Sequence, residues 1–149
     1  MRYNLLFMQN LLFSFKFLVN EKIYLKDPDS SELGKKIVQY SIELIAENGF
    51  ENFNFKKLGE VIQSNESSIY RYFENKHKLL VYLCSWYWSW VEYELVLATN
   101  TVENPLERLK KAIVVVTREN DIHKAIGVIH IGKLYKIMTT EFVKILCTN

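Results

Sequence analysis

Apolar positions between Ser31 and Leu80 recur at helical spacing in three short blocks, separated by polar breaks. Leu33, Ile37, Ser41, Leu44 and Ile45 fall on one stripe, which predicts a helix with a single buried face. Ser30 or Ser31 can cap its start, Glu32 stands in the first turn where the helix dipole favours an anion, and Gly49 supplies the left-handed residue that ends it. The next stretch is too short and too polar for one long helix, and it breaks at Gln63 to Asn65. Asn54 can cap a helix from Phe55 to Ile62, and Asn65 a second from Glu66 to about Phe73. Leu58 and Ile62, then Ile69 and Phe73, give each an inward face. Gly59 lets the two approach closely. Three helices of this kind, the last two joined by a tight turn, predict a helix-turn-helix unit.

Beyond Leu80 the pattern changes to one long, aromatic-rich helix reaching about Ala98. Leu79, Leu83, Trp86, Trp90, Tyr93 and Leu97 recur every three or four residues and predict one buried seam. Tyr87 and Trp88 lie off that seam. Trp86, Tyr87, Trp88 and Trp90 are therefore candidates for a ligand pocket or a dimer contact. Asn104 caps a further helix with Pro105 at its first position, and Leu106, Leu109, Ile113 and Val116 extend a stripe expected to be buried. More helix is expected after Asp121, with boundaries near Gly127 and Gly132. The fold class is all-α. A three-helix head at 31–80 follows an extension at 1–30 and precedes a partial helical domain at 81–149.

The first twenty residues read more apolar than the rest, but Gln9, Asn10, Ser14 and Lys16 interrupt the run. It is shorter than the roughly 20 residues a spanning helix needs. It also lacks a small-residue cleavage site. Residues 1–20 are therefore expected to be dispensable, and "KDPDSSELG" reads as the polar lead-in to the first helix. Cys84 and Cys147 stand far apart without partners at metal-ligand spacing, which fits a reduced, cytoplasmic setting. The net charge of +2 does not imply polyanion binding, and 31–80 balances seven Lys or Arg against seven Asp or Glu. Any nucleic-acid affinity must come from local arrangement. His123 and His130 are seven apart, yet no acidic residue completes a metal site, so a structural role is favoured and no cofactor or metal is expected. No phosphate-binding glycine loop or nucleophile motif is present, and the chain is not read as an enzyme.

The chemistry concentrates in "SSIYRYFENKHKLL", Ser67 to Leu80. Glu66, Ser67, Ser68, Tyr70, Arg71 and Tyr72 are expected at the start and outer face of the third helix, where small residues let a backbone sink into a major groove. Asn75 then caps the next helix and places Lys76 at a positive helix end suited to a phosphate. The run "IVQYSIELIAENGFENFNFKKLGEVIQSNESSIYRYFENKHKLL" resembles the N-terminal DNA-binding region of the TetR family of bacterial transcriptional regulators, with Gly49, Phe50 and "SSIYRYFENK" carrying the likeness.

That resemblance implies an all-α homodimer whose heads bind a palindromic operator in double-stranded DNA, with a small-molecule effector held by a C-terminal helical domain. By position it places Asn54, Phe55 and Lys56 at the DNA-facing start of the second helix. Glu66, Ser67, Ser68, Tyr70, Arg71 and Tyr72 fall on the reading helix, and Lys76 is the phosphate contact. A ligand-responsive repressor follows. Gln63 stands where the family usually has a turn glycine, and Ser64 where it usually has an apolar residue; both bear on the turn's geometry. The family's dimer is usually made by the last two helices of a longer domain. Phe142, Val143, Ile145 and Leu146 are therefore expected to lack a covering helix. The competing class is a helical ligand-sensing or interaction module that no longer binds DNA.

Overall fold

The computed structural model describes residues 19–118, 125–127 and 129–144. Six α-helices carry it: α1 (Glu32–Asn48), α2 (Phe55–Ile62), α3 (Glu66–Tyr70), α4 (Lys76–Thr99), α5 (Pro105–Thr117) and α6 (Ile131–Ile137), the last continued by a π-type turn at Met138–Phe142. The protein is all-α in class.

The boundaries follow from local chemistry. Ser31 accepts the Gly34 N–H at the start of α1, and Gly49 ends the helix at φ 78°. Side chains of Asn54, Asn65, Asn75 and Asn104 accept the first free N–H groups of α2, α3, α4 and α5. Each thereby satisfies donors that a helix start would otherwise leave bare. The stripe on α1 is buried as expected at Ile37, Ser41 and Ile45, and Val38 and Ile42 widen it. Ser41 tolerates full burial because its hydroxyl donates to the Ile37 carbonyl at 2.6 Å.

The turn between α2 and α3 carries the departures noted in the sequence. Gln63 adopts the left-handed region at φ 55°, ψ 46°, the conformation a glycine adopts without strain. A Cβ on Gly59 would stand 2.7 Å from the Ser64 carbonyl oxygen, so the close approach that requires glycine is to the turn's backbone.

The lead-in packs onto the head: Val19 and Pro28 are buried. Leu25 N–H donates to the Tyr72 carbonyl at 2.8 Å, and the Tyr24 ring meets Tyr82 edge-on. The segment 1–18, whose dispensability the sequence suggested, lies outside the described residues, as do His123, Ile145, Leu146 and Cys147. Cys84 is buried, and burial pushes its thiol up to about 12, so it is inert as a nucleophile.

Three expectations beyond the head are corrected. The helix expected after Asp121 begins, within the described residues, only at Ile131, and before it Ala125–Ile126 and Ile129–His130 pair as a short antiparallel hairpin around Gly127 at φ 58°. The stripe on α5 is not buried: Leu106, Leu109, Ile113 and Val116 are exposed, because α5 touches α4 through its other side and no further described element covers it. The α4 seam is core through Trp90, but Leu97 is exposed. Tyr87, off the seam, is buried because α6 covers that side of α4, with the Tyr135 ring 6.3 Å from it.

Among the described residues, no helix is long and apolar enough to cross a membrane.

Candidate nucleic-acid interface

Helix α3 is only five residues long, and a helix this short has no stability of its own. It is held from one side, where Ile69 and Phe73 are fully buried. The opposite side presents Glu66, Ser67, Tyr70 and Arg71 as exposed residues, with Ser68 half-buried beside them. Asn65 fixes the first turn: its Oδ1 accepts from the Ser68 N–H at 2.8 Å and from the Ser67 hydroxyl at 3.2 Å. The Tyr70 hydroxyl donates to Glu66 Oε1 at 3.3 Å, and Tyr70's ring meets Phe55 edge-on at 5.0 Å. Partial desolvation first, then the Glu66 carboxylate, holds the Tyr70 phenol above its ordinary value. The phenol is therefore a neutral donor at physiological pH.

Two of the expected contact residues are placed elsewhere. Tyr72 is 3% exposed, and its hydroxyl pairs with Ser31 Oγ at 2.7 Å across 41 residues of sequence, with Lys26 5.0 Å above its ring. It fastens the start of α1 to the end of α3 rather than facing outward. Phe55 is likewise buried, wedged between Phe53 and Tyr70. From α2, Asn54 and Lys56 remain exposed, Asn54 as the cap and Lys56 within the first turn.

Lys76 differs in a more informative way. Its ammonium turns back from the start of α4 and donates to the carbonyls of Phe50 at 3.1 Å, Phe53 at 3.2 Å and Glu51 at 3.4 Å. It also lies 4.6 Å over the Phe50 ring. The cation thus closes the α1–α2 loop, and it is the α4 backbone, capped by Asn75 through the Lys78 N–H, that forms the positive helix end. Nothing in the sequence marked the loop carbonyls as its partners.

The exposed start of α3 beside the start of α2, joined by a tight turn and backed by α1, is the geometry of a helix-turn-helix head. Residues 37–83 match the family model described as bacterial regulatory proteins, tetR family. Residues 37–83 are thus similar to the DNA-binding head of that family. No curated protein and no solved structure matches the chain.

The head is fastened to the distal half through α1 and α6. Glu43 pairs with Lys133 and stands 3.4 Å from His130 Nε2. Lys136 donates to the Ala46 carbonyl at 2.9 Å, and Glu141 accepts the Phe50 N–H at 3.0 Å. That N–H first of all, with Lys144 adding to it, holds the Glu141 carboxyl below its ordinary value. Sequence reasoning missed these partners, which lie about ninety residues apart and carry no local signal.

The aromatic group on α4 divides in two. Trp86, Tyr87 and Trp90 are buried in the core, whereas Trp88 is 54% exposed. A cavity of about 330 Å³ opens on the head, lined by Leu44, Asn48, Asn52, Phe53 and Lys57. No group of three or more His, Cys, Asp or Glu among the described residues could hold a metal ion.

Proposed function

We propose that the protein is a ligand-responsive repressor that binds its operator through α3 and occludes the polymerase. Supporting this reading is the first turn of α3, where the exposed Ser67 and half-buried Ser68 leave little bulk between the helix backbone and a major groove about 12 Å wide. Ser67 and Lys56 are assigned to base edges. Tyr70 and Arg71 reach phosphates, and the open N–H groups at the start of α4 bind a further one. Tyr72, Phe55 and the Lys76 ammonium support this face from behind.

The effector site is assigned to the distal half, against the Trp86, Tyr87 and Trp90 cluster. The α1–α6 contacts supply the route by which occupancy there biases the head. The setting is the cytoplasm, where operator and effector meet.

Selection of bound sequences from a random duplex pool, followed by salt titration of the winner, tests the reading. One enriched motif, with affinity falling linearly on a logarithmic salt scale, is expected. Absence of enrichment together with salt-independent binding would instead identify a helical interaction module.

A further inference from the structure

The cavity of about 330 Å³ on the head lies where the end of α1, the α1–α2 loop and the first turn of α2 meet. That volume is at the small end of ligand-binding cavities and suits a molecule of roughly ten non-hydrogen atoms. Its apolar wall is the half-buried Leu44 with Phe53, which is 2% exposed. Its polar rim is Asn48, Asn52 and Lys57, all exposed. The rim is tied in a chain: the Lys57 ammonium donates to the Asn52 carbonyl at 2.8 Å, the Asn52 side-chain amide to the Asn48 carbonyl at 2.9 Å, and the Asn48 side-chain amide to the Leu44 carbonyl at 3.2 Å. Its shape is therefore set before anything binds.

Those bonds also decide what the rim offers. A backbone carbonyl only accepts, so each asparagine must give it the amide nitrogen and keep its side-chain oxygen as an open acceptor. The Lys57 ammonium has three donors, of which the Asn52 carbonyl engages one, and it forms no ion pair among the described residues. Extended into water, the same side chain would keep rotamer freedom that folding back over the loop costs. The cavity thus sets a cation with open donors beside two open acceptors and an apolar wall.

We infer that this cavity is a small-molecule site on the head, taking a hydroxylated aromatic carboxylate. The carboxylate pairs with Lys57, the ring lies against Leu44 and Phe53, and the hydroxyl donates to the side-chain oxygen of Asn48 or Asn52. An inorganic anion answers Lys57 but leaves the apolar wall in water, and a neutral aromatic leaves the cation without a counter-charge. The three features together therefore fix the class. The site is separate from the effector position assigned to the distal half, and it does not depend on the head reading DNA, so its test omits DNA.

Titration of 4-hydroxybenzoate into the isotope-labelled full chain, followed by amide NMR, should give saturable shifts at Asn48, Asn52, Phe53 and Lys57, with a Kd on the order of 1 mM for a ligand this small. The amide of the same shape, 4-hydroxybenzamide, should bind about 5-fold more weakly, the size of an exposed ion pair. Lys57→Met keeps the aliphatic stem and should erase that difference. Because Lys57 also ties the loop, Asn48→Asp is the second variant: it puts a like charge on the exposed rim and should weaken the acid while sparing the amide. Absence of shifts at these residues up to about 20 mM, well above that Kd, would overturn the inference. Equal shifts with inorganic phosphate would overturn it by showing a surface cation and nothing more. An acid-over-amide preference that survives both variants would overturn it by placing the carboxylate elsewhere.

Discussion

Replacing Lys76 with methionine keeps the aliphatic stem and removes only the ammonium. The wild-type cation holds the carbonyls of Phe50 and Phe53 at 3.1 and 3.2 Å and the Glu51 carbonyl more loosely at 3.4 Å. A hydrogen bond to a charged group contributes about 1.5–3 kcal/mol, and a cation over an aromatic ring about 0.5–1 kcal/mol at a partly exposed site. One ammonium shared among these acceptors cannot contribute their sum. The expected loss is therefore about 2–3 kcal/mol. For a chain of this size that lowers Tm by about 5–10 °C, measurable by circular dichroism. Operator binding measured well below the new Tm should keep its salt slope, because the ammonium is not at a phosphate. The sequence alone favoured the opposite pattern, a slope smaller by about one unit per lost phosphate contact. An unchanged Tm combined with that smaller slope would refute the structural tie and restore Lys76 as a clamp.

Gln63→Gly should stabilise the head by about 0.5–1 kcal/mol, since the left-handed conformation costs an L-residue about 1–2 kcal/mol and glycine's greater freedom when unfolded returns part of that; a urea midpoint that falls would contradict the strain at φ 55°. Gly59→Ala pushes a Cβ to 2.7 Å from the Ser64 carbonyl oxygen, so a loss of about 1–3 kcal/mol is expected in the same assay. Because Glu141 has its carboxyl lowered from an ordinary 4.5 by the Phe50 N–H, its stabilisation is present above that value and fades as pH drops through the folded value. Glu141→Gln should thus be less stable than wild type at pH 7, with the gap narrowing as pH falls below the ordinary carboxylate value, and a gap independent of pH would count against the contact. Ser67→Ala and Lys56→Ala should change the preferred base at one operator position each, read by repeating the pool selection; a uniform loss across all sequences would reassign them to the backbone.

The head was legible in the sequence because its signals are local. Ser31, Asn54, Asn65, Asn75 and Asn104 cap within three residues of themselves, and a periodic stripe needs only its own helix to be recognised. Misreadings arose where distant partners decide. Tyr72 looks like a surface residue of the reading helix until Ser31, 41 residues away, takes its hydroxyl. Lys76 looks free until the Phe50 loop arrives beneath it. On α5 the error ran the other way: the stripe from Leu106 to Val116 has the period of a buried face, but period reports only that a helix is amphipathic, not which molecule covers it. The hairpin at Ala125–His130 was missed because two-residue strands are too short for alternation to register.

The asparagine caps carry an electrostatic consequence. Aspartate would accept the same N–H groups at the starts of α2, α3 and α4 about as well. Yet three aspartates would take a head that balances seven cations with seven anions to a net −3, with every added charge at a helix start proposed to face the operator. A neutral amide satisfies the hydrogen bond while leaving the half-unit of positive charge at each helix start uncancelled. On the proposed reading, approaching phosphates would meet three electropositive termini that a count of charged residues registers as nothing.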